Sequence, residues 1–393
     1  MSHALIDRSA DLKRLRDEGY ELEVRANHLL VHSVPYVNEN KEVALGTLVT
    51  ELTMSGDITA KPATHVIHFA GVHPCSKDGQ KIVQIQHASG TRLLAVGLSI
   101  DHSFSNKPAA GYANYYEKVS RYVEIISSEA KAIDPSVDAC TFKLIESEDA
   151  GDVFAYLDTA SSRAGITAVS QRLASQKIGI IGLGGTGSYV LDLAAKTSVR
   201  EIHLFDDDLY LQHNAFRSPG AASIEELRRQ QAKVEHWQDV YAKMRSGIVA
   251  HRMRINEANG HLLDGLDFVF VCVDGGPARK VILDLLRPRA IPFVDAGMGV
   301  ELSEDLRLWA VCRVTAGTVG RMEHIGARVP TADPGVDAIY QQNIQIADLN
   351  AFNAAMAVIK WKKIAGIYLD EDKEHHSTYS SNLHLLTSEE RSS

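Results

Sequence analysis

The sequence has few cysteines, four in 393 residues, and none is close enough to another to form a CxxC pair. A zinc ribbon and a disulfide framework are therefore not expected. No apolar run approaches the roughly 18 residues of a membrane span, and the start MSHALIDRSADLKRLRDEG has no apolar signal core. The reading is a cytoplasmic protein with no membrane partner. An excess of basic charge is also missing. Residues 1–150 hold 15 basic and 20 acidic residues, and the remainder holds 26 and 30, for a net charge of −9. A basic nucleic-acid surface has no support. Internal repeats and low-complexity tracts are absent too. What remains is an ordinary globular composition, 45% hydrophobic and 23% charged, long enough for about two domains.

The chain changes rhythm near its middle. Up to about residue 145 it is strand-rich. A short helix (Asp7 to Glu18) precedes the segments ELEVRANHLLVHSVPYV, LGTLVTELTM, THVIHFAG, IVQIQHA and RLLAVGLSI, separated by turn residues. One amphipathic helix, Tyr112 to Ile133, follows. This predicts a smaller α+β domain over 1–148, with IESEDAGD as linker. From Gln176 strands alternate with helices: KIGIIG, EIHLFD, GIVAHRMRI, DFVFVCVD and IPFVDAGM, with helices between them. That alternation predicts a doubly wound, mostly parallel α/β sheet over 149–393. After strand LRLWAVCRV comes a long loop, about 316–346, and then a long apolar helix.

Candidate chemistry gathers where strands end. Gly182, Gly184, Gly185 and Gly187 form a Gly-rich turn between strand and helix, suited to cradling phosphates. Asp206 ends the second strand at the usual position of a ribose-binding acid. Taken alone, this pair fits a dinucleotide dehydrogenase equally well. The run FDDDLYLQHNAFR adds Asp208, Asn214 and Arg217; Lys233 lies in the next helix, and Asp274 ends a further strand. Each has a bland alternative as a turn residue, a solvated charge or a surface ion pair. Together in one crevice they fit a triphosphate, with Arg and Lys offsetting phosphate charge and a carboxylate holding Mg²⁺.

GLGGTGS, the D-x-D-x-Y-x-x-x-N-x-x-R run, Lys233 in QAKVE and the CVDGG turn resemble the ThiF/MoeB-type adenylyltransferases, which include the activating enzymes of ubiquitin-like proteins. The likeness spans roughly Asp158 to Gly366. It implies a Rossmann-like adenylation domain using ATP and Mg²⁺ to adenylate the C-terminal glycine of a β-grasp protein. The carrier would then pass to a conjugating-enzyme-like protein. On this likeness the four glycines, Asp206, Asp208 and Asn214 bind nucleotide. Arg217, Lys233 and Asp274 are catalytic, with Asp274 on Mg²⁺. Arg163 in SSRAGI is implied to reach a partner subunit's site, hence a homodimer. The chain departs from the pattern at Ser218, where a glutamine is usual, and in its crossover loop, which has no cysteine. That loop offers only hydroxyls, chiefly Thr318 and Thr331; Thr331 reads first as shaping the VPTADPG turn and otherwise as a candidate hydroxyl nucleophile. Residues 1–145 look similar to the arrangement in activating enzymes of bacterial ubiquitin-like conjugation operons. The rival functions are an NAD(P)-dependent dehydrogenase and a non-catalytic adaptor. Cys272 and Cys312 read as core, Cys75 as an ordinary loop cysteine, and His375 and His376 as solvated or strand-face histidines.

Overall fold

A computed structural model describes residues 2–143, 145, 153–156, 158–164, 166–332 and 344–389. The chain divides into two compact units, residues 1–171 and 172–393. No helix among the described residues is long and apolar enough to cross a membrane.

The first unit opens with α1 (Ser2–Arg8) and α2 (Ala10–Asp17). Strands β1 (Leu22–Arg25), β2 (His28–Val37), β3 (Val43–Glu51), β4 (Met54–Ser55), β5 (Ile58–Thr59), β6 (Val66–Ala70), β7 (Gln86–Ala95) and β8 (Leu98–Ser105) follow. Six of them form an antiparallel sheet in the order β1-β2-β3-β6-β8-β7. Helix α3 (Tyr115–Ile133) packs Tyr115, Val119, Tyr122 and Ile126 against Val31, Leu48, Phe69 and Phe104. Its start is fixed by Asn114, whose side chain accepts from the Glu117 amide, so the helix begins three residues later than its apolar pattern predicts. The unit ends in α4 (Thr159–Arg163) and α5 (Thr167–Ser170).

Two strand boundaries differ from the sequence reading. ELEVRANHLLVHSVPYV is a hairpin, turned at Ala26 and Asn27, both at positive φ. The turn after IVQIQHA is missing, because β7 runs on through Ser89 and Gly90 with register shifts against β8. The chain reverses instead at Val96-Gly97, where Gly97 has φ +71. Cys75 is not on an open loop: it is buried, bridges to Val37 and Lys81, and its thiol donates to the His73 carbonyl at 3.3 Å.

The second unit carries β9 (Lys177–Ile181), α6 (Gly185–Ala195), β10 (Glu201–Phe205), α7 (Gln212–Ala215), α8 (Ile224–Arg228), α9 (Lys233–Ala242) and β11 (Ile248–His251). It continues with β12 (Phe268–Val271), α10 (Gly276–Leu286), β13 (Phe293–Leu302), β14 (Leu308–Gly317), α11 (Ile325–Arg328), α12 (Ala347–Ile364), β15 (His376–Ser380) and β16 (Leu385–Glu389). The sheet order is β11-β10-β9-β12-β13-β14-β15-β16. The first five strands are parallel and the last three antiparallel. Every residue of β12 is buried because helices cover both faces. Phe268 and Phe270 pack in the core that holds Leu191, Trp237, Val358 and Trp361, while Val269 and Val271 meet Ile282 and Leu283 of α10. The fold is thus an antiparallel α+β unit followed in the chain by a doubly wound, parallel-rich α/β unit.

The sheet's last two strands were not anticipated. They bury His375 and His376, which are not solvated: the His376 ring hydrogen-bonds Thr315 at 2.9 Å, and His375 bonds Thr318 at 3.1 Å.

Candidate functional site

Strand order reverses beside β9, since the chain winds outward through β10 and β11 and then returns to add β12 on the other side. A crevice opens outside the carboxyl ends of the strands at such a switch point. The glycine turn follows β9, Asp206 follows β10 and Asp274 follows β12, so three neighbouring strands deliver the predicted groups to one edge.

The glycine turn is held by contacts only glycine allows. Gly182 has φ +89, and a Cβ there would lie 2.6 Å from the Cys272 carbonyl oxygen. A Cβ on Gly187 would overlap the Gly182 carbonyl, and one on Gly185 would overlap Asn350. Gly184 faces open space instead. It precedes α6 without a side-chain cap, so the first-turn amides of that helix are available to an anionic ligand.

Asp206 braces the turn. Its carboxylate accepts from the Leu183 amide at 2.6 Å and the Asp208 amide at 2.9 Å. Burial pushes its pKa up, opposed by Lys233 nearby. The Lys233 ammonium donates to Asp208 at 2.8 Å and lies 3.5 Å from Asp206. That hydrogen bond holds the half-exposed Asp208 carboxyl below its ordinary range. Asn214 is buried, and its side-chain oxygen accepts from the Leu211 amide at 2.8 Å, closing the α7 turn. Arg217 follows. Its Nε is buried without a hydrogen-bond partner, and it forms no ion pair among the described residues. Ser218, where the family pattern has glutamine, is buried and donates to the Asn214 carbonyl at 2.7 Å. A shorter side chain here caps the turn instead of reaching outward.

Asp274 is exposed beyond β12, and the Gln345 amide donates to it at 3.1 Å. Thr331 lies against Gly276 beside the same turn. The backbone of Arg163 ends α4 in the first unit; its side chain lies outside the described residues. The fold thus joins the glycine turn, Asp206, Asp208 and Lys233 by direct contacts, and places Asn214, Arg217 and Asp274 at the same strand ends.

Three features escaped the sequence reading. Asn350, fully buried on α12, accepts from the Thr186 hydroxyl at 3.0 Å and donates to the Arg217 carbonyl at 3.4 Å. It ties the glycine helix to the arginine loop. Asp295 is fully buried between Arg279 and Arg313, at 2.8 and 2.6 Å. Arg279 in turn donates to the Val273 and Pro330 carbonyls, fixing the Asp274 turn from behind. Gln345 is the third. The only sequence trace was polar residues inside apolar runs, Asn350 and Asn353 in NAFNAAMAV and Asp295 in PFVDAG.

Cys272 and Cys312 are buried, as read; burial raises both thiols, Cys312 to about 11.

Comparison with known proteins divides the chain similarly. The model of a domain of unknown function (DUF6791) matches residues 10–159, and the ThiF family model matches residues 159–303. Among solved structures, E. coli MccB is 18% identical, with TM-score 0.48 over 60% of this chain and 70% of that one. MccB with ATP is 19% identical, with TM-score 0.46 over 60% and 72%. PaaA is 16% identical, with TM-score 0.44 over 56% and 75%. No curated protein matches the chain. With the glycine turn, acid and lysine in the order of the family pattern, the chain carries a ThiF-family domain over residues 159–303.

Proposed function

We propose that this protein activates a ubiquitin-like protein by adenylation. The carboxylate of a C-terminal glycine attacks the α-phosphorus of ATP, pyrophosphate leaves, and an acyl-adenylate forms. The observation that carries the reading is Lys233, buried between Asp206 and Asp208 at the mouth of an uncapped glycine-turn helix. A dehydrogenase needs the turn and the ribose acid but has no use for a buried ammonium and a free-standing guanidinium beside them.

The attacking carboxylate is already ionised, so the reaction calls for alignment of two anions and charge compensation more than for acid–base help. First-turn amides of α6 and the open face at Gly184 receive phosphate oxygens. Asp206 takes the ribose hydroxyls. Lys233, by turning from Asp208 toward the nucleotide, and Arg217, whose guanidinium has no carboxylate partner among the described residues, neutralise the triphosphate. Asn214 holds the loop that presents Arg217. Asp274 would hold Mg²⁺, and an orphaned buried carbonyl beside it, Gln345 Oε1, fits an oxygen-seeking cation. When bound, Mg²⁺ spreads the negative charge of the leaving pyrophosphate.

Arg163 is assigned to the site of a second copy, which makes the enzyme a homodimer. A carrier with a β-grasp fold and flexible glycine tail is the substrate, and a conjugating-enzyme-like protein receives it. The adenylate passes directly to that protein; were a covalent intermediate to form, Thr331 would be its candidate hydroxyl. Exchange of labelled pyrophosphate into ATP, measured with a panel of ubiquitin-like proteins ending in glycine, tests the reading. Exchange that depends on one carrier and on its terminal glycine is expected. NAD⁺ binding with no ATP binding would favour the dehydrogenase instead.

A further inference from the structure

We infer that Gln345 supplies a second protein oxygen to the divalent cation held by Asp274. The inference rests on the placement of Mg²⁺ at Asp274 proposed above. Gln345 precedes α12 and its amide lies 3.1 Å from the Asp274 carboxylate, joining two elements 71 residues apart in sequence. Its Nε2 donates to Oδ2 of Asp274, while its Oε1 is buried and has no hydrogen-bond partner among the described residues. Leaving an amide carbonyl unsatisfied in the interior costs on the order of 1–3 kcal/mol, so the side chain holds an unused acceptor beside a carboxylate.

The spacing fits a small hard cation. Mg²⁺ binds oxygens at 2.0–2.1 Å in an octahedron, which puts adjacent ligands about 2.9 Å apart. The amide and carboxylate already stand at nearly that separation. A half-turn of the amide would exchange nitrogen for oxygen beside the carboxylate, making the carbonyl a co-ligand with it, and would leave the N–H₂ in the place that Oε1 now occupies. Without a cation, two facing oxygens repel and the amide presents its N–H. With one, both oxygens face the metal.

Mn²⁺ is the probe, titrated by electron paramagnetic resonance on the full chain with a non-hydrolysable ATP analogue cleaved neither at α nor β. Gln345→Ala is expected to weaken Mn²⁺ binding in the ternary complex by about 10-fold or more. Gln345→Glu, which keeps an oxygen but loses the N–H, is expected to bind Mn²⁺ at least as tightly as the wild type. Binding of the metal-free analogue should be unchanged in both, which also shows the variants are folded. If Gln345→Glu binds Mn²⁺ more weakly than the wild type, Gln345 serves only as a hydrogen-bond donor and the inference falls. Should Gln345→Ala bind Mn²⁺ normally while Asp274→Ala does not, the inference falls and the Asp274 assignment stands. Normal binding in Asp274→Ala as well would overturn both.

Discussion

Lys118 in the first unit and Lys233 in the second are both buried lysines, held in opposite ways. The Lys118 ammonium donates to the Thr50 hydroxyl at 2.8 Å and the Thr64 carbonyl at 2.9 Å, with no carboxylate in ion-pair range among the described residues. Burial lowers its pKa to about 7. Lys233 instead sits between two carboxylates. Burial with neutral acceptors favours shedding the proton, whereas burial beside counter-charge keeps a cation in place for a ligand. The first unit thus buries a base as structure. The second stores paired charge that an anionic ligand can borrow.

The largest effect should come from breaking paired charge where no ligand acts. Asp295→Ala leaves the buried Arg279 and the partly buried Arg313 without their counter-ion, a loss of about 3–5 kcal/mol. All three tryptophans, Trp237, Trp309 and Trp361, lie in the second unit. Denaturant unfolding followed by tryptophan fluorescence should show the loss. An unchanged midpoint would mean the triad carries no net stability.

Lys233→Ala should next lower carrier-dependent pyrophosphate exchange by about 10²–10³-fold, as for other preorganised donors removed from a transition state. Some stability should be lost as well: Asp208 is half-exposed and resolvates, but the buried Asp206 loses its counter-charge. Exchange within a few-fold of wild type would show that Asp206, Asp208 and Lys233 form only a structural triad.

The opposite case sharpens through pH. The folded pKa of Lys118 lies below the 10.5 of an unfolded lysine, so the unfolded chain holds more protons between these values. Stability of the first unit should therefore rise as pH rises from about 7, by up to about 1.4 kcal/mol per pH unit, with no contribution to the slope well below 7. Hydrogen exchange of the α3 amides from pH 7 to 9, corrected for intrinsic rates, measures this. Lys118→Met should flatten the profile; an equal slope in the variant would assign it elsewhere.

Asn350→Leu should have the smallest effect. It frees the Thr186 hydroxyl and the Arg217 carbonyl, and about a 10-fold fall in kcat/KM for ATP is expected from the loss of buried hydrogen bonds. A change confined to thermal stability would make Asn350 a packing residue.

Local pattern carried much of this into the sequence. The glycine turn, Asp206, Asp208, Asn214, Arg217 and Lys233 lie within 52 positions, at strand ends whose apolar runs are plain. Long-range partners were not legible. Asn350 meets Thr186 across 164 residues, and Gln345 meets Asp274 across 71. Nothing local in a helix or loop sequence states which distant side chain it will meet. The hairpin turn at Gly97 was misplaced because Ser89-Gly90 is equally good turn chemistry, and only strand pairing decides between them. β15 and β16 escaped notice because their residues, HSTYS and LLTSE, show little apolar alternation at an antiparallel edge.

The central claim is adenylation by the second unit's crevice, and the products of ATP turnover test it most directly. With the cognate carrier and Mg²⁺, chromatography of labelled nucleotide should show AMP accumulating after hydroxylamine is added to capture the activated carboxyl. Asp274→Ala should form essentially none while still folding. ADP as the product, or AMP formed equally by Asp274→Ala, would contradict the account.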